Sequence, residues 1–131
     1  MNNTFYKFCL LICCIGFQFN ASGQLIITAV YDGPLPGGTP KGVELFATAD
    51  IPDLGVYQIK VYYNWNTNSS SNIDLTSGVS LVSGEFYYLT KNLAKFSEFF
   101  ETSADQQGSV LVNGDDAIEL RNNGALIDVL E

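Results

Sequence analysis

The chain has 131 residues, with 14 acidic side chains against 6 basic ones, no histidine and a formal net charge of −8. That length holds one domain, at roughly 100–200 residues per domain, and the acid excess excludes the basic footprint that nucleic acid or anionic lipid would require. A hydrophobic share of 47% with only 15% charged residues excludes a solvating acidic tail or a disordered linker.

The N-terminal segment reads as a targeting sequence. Lys7 stands ahead of the apolar run 8–17, which is shorter than the about 20 residues of a membrane span and suits a signal-peptide core. Ala21-Ser22-Gly23 puts small residues where a signal peptidase cleaves. Residues 1–23 are therefore predicted to be a signal peptide removed before Gln24. A lipid anchor on Cys13 or Cys14 is the competing reading, but it wants a small residue just before the cysteine, where Ile12 and Cys13 stand. Cleavage would remove Cys9, Cys13 and Cys14, the only cysteines. It leaves residues 24–131, 108 in number, with 5 bases against 14 acids and a charge of −9. The expected product is a secreted or cell-surface domain without a membrane span, held by its core and not by disulfides.

The remaining sequence reads as short strands punctuated by glycine, proline and asparagine. Leu25 to Tyr31 is apolar and β-rich. Residues 32–40, with three prolines and three glycines, are expected to be neither helix nor central strand. In Gly42 to Ala47, Val43, Leu45 and Ala47 share one face and Glu44 takes the other. Residues 50–53 read as a turn. Leu54 to Tyr63 has the cleanest alternation, with Tyr57, Ile59, Val61 and Tyr63 on one face and Gln58 and Lys60 opposite. Residues 64–72 read as an exposed polar loop around Trp65, 73–82 as a weak strand, and Phe86 to Thr90 as a strong one. Asn92 is a predicted helix N-cap, followed by Phe96, Phe99 and Phe100 at the spacing of one helical face, read as a lid on the core. Residues 106–109 are expected to be loop and 110–112 a short strand. Asn123-Gly124 signals a closing hairpin, with Leu120 expected opposite Ile127, Ile118 opposite Val129 and Glu119 opposite Asp128. Seven or eight short strands and scarcely any helix point to an all-β, two-sheet antiparallel sandwich, with an open barrel as runner-up.

Catalytic chemistry finds little support. Two carboxylates flanking a cleft would serve a glycosidase, but no cleft is legible around Glu44, Asp115, Asp116, Glu119 and Asp128. Without cysteine or histidine in the mature chain, Cys–His and Ser–His–Asp arrangements and the usual zinc sites are excluded. Residues 33–38 lack the lysine–hydroxyl pair of a phosphate loop. Calcium is the one ion whose ligand types are present, at Asn113, Asp115 and Asp116 with backbone carbonyls, although the spacing is not that of an EF-hand. The alternative is a tight turn whose acids accept from nearby backbone amides. Tyr57, Tyr62, Tyr63, Trp65, Tyr87 and Tyr88 are candidates for a glycan or peptide platform. Most of them are expected in the core, and Trp65 in its polar loop is the binding candidate.

Several segments carry a family resemblance by their order: Leu25-Ile26-Ile27-Thr28, Lys41-Gly42-Val43-Glu44-Leu45-Phe46, Ile51-Pro52-Asp53-Leu54, Val82-Ser83-Gly84-Glu85-Phe86-Tyr87-Tyr88-Leu89, Asn113-Gly114-Asp115-Asp116-Ala117-Ile118-Glu119-Leu120 and Asn123-Gly124-Ala125-Leu126-Ile127-Asp128-Val129. Together they resemble the lamin tail domain, in the bacterial exported form found beside secreted nucleases or phosphatases and in cell-surface proteins. The resemblance spans nearly all of residues 25–130. It implies an immunoglobulin-like sandwich that serves as an accessory binding or structural module with a protein or cell-surface partner and no catalysis of its own. Nuclear lamins also contact DNA, through a basic surface this chain lacks. The family continues past Ile127-Asp128-Val129 with at least one more strand, so a truncated frame or a fragment of a longer exported protein is expected here. The alternatives are the N-terminal part of an extracellular nuclease or phosphoesterase, and a calcium- or glycan-binding adhesive domain.

Overall fold

A computed structural model describes residues 24–131. The predicted signal peptide, its cleavage site and the anchor candidates Cys13 and Cys14 lie outside the described residues. Among those residues no helix is long and apolar enough to cross a membrane. Eight strands form two four-stranded sheets. Sheet A runs β1 (Leu25–Leu35), β2 (Thr39–Ala47), β5 (Phe86–Thr90), β6 (Gln106–Gln107), and sheet B runs β4 (Ser71–Asp74), β3 (Tyr57–Tyr62), β7 (Ala117–Asn122), β8 (Ala125–Leu130). One helix, α1 (Leu93–Phe100), lies between β5 and β6.

The two inner faces make the core. Leu25, Val43, Leu45, Ala47, Tyr87 and Leu89 of sheet A meet Tyr57, Ile59, Val61, Ile73, Ile118 and Leu120 of sheet B. The alternation in β2 and β3 is what places them there, because successive side chains point to opposite faces of a strand. The described residues thus form an all-β two-sheet sandwich with one helix, as the strand count anticipates.

Several expectations are corrected in detail. The segment 32–40 is not all turn: β1 continues to Leu35 and β2 begins at Thr39. Pro34 is tolerated because β1 is an edge strand. Pro40 stands in a central strand, but ahead of the β2–β5 pairing, which starts at Gly42 opposite Thr90, so its missing donor breaks no ladder bond. Residues 71 and 72 belong to β4 and not to the polar loop. The weak strand 73–82 shrinks to the end of β4 and a single bridge from Leu81 to Ile51. Gln106 and Gln107 pair parallel to β5, whereas 110–112 form no strand, although Val110 and Val112 are buried.

Helix α1 begins as predicted, with the Asn92 side chain accepting from the Lys95 backbone N–H at 3.0 Å. It is not a lid on the inter-sheet core. A parallel β5–β6 pair needs a crossover, and α1 supplies it on the outer side of sheet A, where Phe96 is buried while Phe99 and Phe100 are each 42% exposed.

The hairpin register also differs. Asn122 pairs with Ala125 and Arg121 with Leu126, but a bulge then places Leu120 opposite Asp128, Glu119 opposite Val129 and Ile118 opposite Leu130. One extra residue flips every later side chain to the other face. Asp128 therefore turns inward to the sandwich edge and Val129 turns out to 46% exposure. Glu119 and Asp128 are therefore not directly opposed, and Glu119 instead pairs with Arg121 at 2.7 Å.

Candidate functional site

The acidic loop is the first place the sequence points to. Asp116 is buried, and both its oxygens are engaged: Oδ1 accepts from the Asn64 backbone N–H at 2.8 Å and Oδ2 from that of Asn113 at 2.7 Å. The Asn113 side-chain oxygen accepts from Lys41 Nζ at 3.0 Å. That lysine is itself buried, and its ammonium also reaches Asp32 at 2.6 Å and the Val112 carbonyl at 2.7 Å. Its three donors thus have three acceptors. Asp115 is exposed and stands apart from this network. Among the described residues no group of three or more His, Cys, Asp or Glu side chains could hold a metal ion. With a lysine ammonium already on Asn113 and two amide donors on Asp116, the loop acts as a fastener. It ties the end of sheet A at Lys41 to the turn that leaves β3 at Asn64.

Lys41 is the member of this network that sequence reasoning passed over. Its only signal was a lone basic residue in a strand whose other residues are mostly apolar, with Glu44 the one acid.

The aromatic residues singled out in the sequence are not brought together. Tyr57 and Tyr87 lie in the core. Tyr62 donates to Glu119 at 2.9 Å on the outer side of sheet B, and Tyr63 donates to the Ser109 carbonyl at 3.2 Å. The backbone of Trp65 ends a short 3-10 turn, Tyr63–Trp65. Its side chain lies outside the described structure, and the binding role suggested for Trp65 lies there with it.

Tyr88 of that set instead joins Tyr31, Phe46, Phe86 and the helix rings in a continuous belt on the outer face of sheet A. Phe46 contacts Phe86 at a centroid distance of 4.9 Å, Phe86 stacks with Tyr88 at 6.3 Å, and Tyr88 meets Phe96 at 5.5 Å. Tyr31 packs against Phe96 at 5.7 Å and Phe100 at 5.5 Å, and Phe99 closes the belt against Phe100 at 4.9 Å. These are ordinary distances for favourable ring pairs. The register explains the alignment: Ala29, Glu44 and Tyr88 are direct cross-strand neighbours on one face, as are Phe46 and Phe86. A bulge in β1 between Ile27 and Ala29 brings Ala29 and Tyr31 outward.

The hydroxyl end of Tyr31 lies against Gly42, where a Cβ would collide with it and with the Leu89 carbonyl. Its hydroxyl donates to that carbonyl at 2.9 Å. Burial above all, with the negative charge of Glu44 adding to it, pushes the Tyr31 phenol up to about 12. Burial and then Glu44 also raise Tyr88.

Beside this belt is a groove of about 300 Å³, walled by Tyr31, Tyr88, Phe96 and Phe100, floored by Ala29 and Glu44 and rimmed by Thr102. Thr28 Oγ1 donates to Glu44 Oε1 at 2.8 Å, and among the described residues no lysine or arginine forms an ion pair with Glu44. No protein-family model matches the chain, and no curated protein matches it either.

Proposed function

We propose that this chain is an exported, non-catalytic interaction module, an immunoglobulin-like sandwich of lamin-tail type, that meets a protein or cell-surface partner through the outer face of sheet A. The ring belt is the observation that carries this reading. Phe86, Phe99 and Phe100 are each 42–45% exposed on one side of one sheet, and clustered exposed aromatic surface marks interaction sites in soluble domains. The signal-peptide pattern and the ordered lamin-tail-like segments support export and family type. The acidic balance favours a partner that is not a nucleic acid.

The test is a double variant, Phe86→Ser with Phe99→Ser. Both rings are partly solvated, so the fold should melt within a few degrees of the wild type. Retention of the exported protein on the surface of the producing cells should fall at least about tenfold. Unchanged retention, or turnover of a phosphodiester or glycosidic substrate by purified protein, would refute the reading.

A further inference from the structure

The groove beside the ring belt has a composition that selects a ligand class, and this inference rests on the reading that the outer face of sheet A is the binding face. Four rings line the groove, but Phe96 is buried and packs against Tyr31, Tyr88 and Phe100, which leaves those three to meet a ligand. Its floor holds a single carboxylate, Glu44, with no basic partner among the described residues. Aromatic faces attract cations through their quadrupoles, and an unpaired carboxylate at the same place supplies a full counter-charge.

Hydrogen-bonding capacity decides which cation. One Glu44 oxygen already accepts from Thr28, and the Tyr31 hydroxyl is spent on the Leu89 carbonyl. A primary ammonium has three N–H donors to satisfy and a guanidinium has five, and this groove offers them few acceptors. A fully methylated ammonium has no N–H to satisfy and is weakly hydrated, so it suits ring faces plus one adjacent charge.

We propose that the groove of Tyr31, Glu44, Tyr88 and Phe100 binds the quaternary ammonium group of a small soluble ligand. The acidic surface, at −8 overall, raises the local concentration of such a cation and disfavours an anionic membrane as its carrier.

Choline is the probe, titrated into the full exported protein and followed by side-chain NMR of the tyrosine and phenylalanine rings. A roughly millimolar affinity is expected, because a half-open groove immobilises only a small head group. Ethanolamine, with a primary ammonium, and 3,3-dimethylbutan-1-ol, with the same shape as choline and no charge, should each bind at least about tenfold more weakly. Glu44→Gln should weaken choline about tenfold while leaving the melting temperature within a few degrees, since Glu44 is half-buried on an outer face. Tyr88→Leu keeps bulk but removes a ring face and should do the same.

The proposal is overturned if choline leaves the rings unperturbed, if the neutral analogue binds as tightly, or if Glu44→Gln binds as the wild type does. Binding to phosphatidylcholine vesicles without binding to free choline also overturns it. A failure here with surface retention still lost in the Phe86→Ser, Phe99→Ser variant removes the ligand and leaves the interaction module standing.

Discussion

The Asp128 carboxylate in β8 accepts the backbone N–H of Ile27 in β1 at 2.8 Å, so one side chain joins the open edges of the two sheets. Two bulges meet at this contact. The one in β8 turns Asp128 inward, and the one in β1 follows Ile27 directly. Asp128→Ala should leave that amide without a partner and cost about 1–2 kcal/mol. Denaturant melts measure the loss, and hydrogen exchange at the Ile27 amide should quicken, while Asp128→Asn, which keeps an acceptor oxygen, should retain most of the protection.

Lys41 is held by Asp32, the Val112 carbonyl and Asn113. Lys41→Met should be destabilising by about 1–3 kcal/mol, because the buried Val112 carbonyl loses its donor, and Asp32 and Asn113 theirs, while the aliphatic packing remains. A chemical denaturation curve equal to that of the wild type would show that the fastener contributes nothing.

Calcium should leave the melting temperature unchanged and give no titration heat, because the Asp116 oxygens and the Asn113 oxygen already have donors. Asp116→Asn should lower stability by about 1 kcal/mol, since one of its two amide donors then faces an NH₂ group. A thermal shift with calcium that disappears in Asp116→Asn would establish a metal site there.

Alkaline pH should weaken the fold through Tyr31. Its phenol, raised by burial from 10.0 to about 12, favours the neutral form when folded. The corresponding stability is fully present below pH 10.0 and is lost as pH rises towards about 12. Tyr31→Phe should cost about 1 kcal/mol near neutrality, for the lost bond to Leu89, yet show a shallower decline over that alkaline interval in pH-dependent melts.

At acid pH the direction is the reverse. The hydrogen bond from Arg121, supported by that from Tyr62, holds Glu119 below its usual 4.5. The contribution of this group is therefore present above pH 4.5 and fades as pH falls through the lower folded value. Glu119→Gln should flatten the fall in melting temperature on the acid side. An unchanged acid profile would show that Glu119 is energetically silent, as many exposed pairs are.

The amino-acid sequence determined the strand-rich architecture. Val43, Leu45 and Ala47, and Tyr57, Ile59 and Val61, had to face one interior because side chains alternate along a strand. Asn123-Gly124 had to turn a hairpin because both positions take positive φ, at 47° and 83°. Asn92 had to start a helix because its side chain could accept from a free amide of the first turn, that of Lys95. Only the tertiary structure decided the faces beyond two bulges, the outer position of α1 and the pairing of Lys41 with residues 71 and 72 positions further along the chain. A bulge adds one residue without a sequence signature strong enough to locate it, yet it reverses every face that follows. The ring belt depends on such a reversal, and its members come from β1, β2, β5 and α1, which no local pattern could bring together.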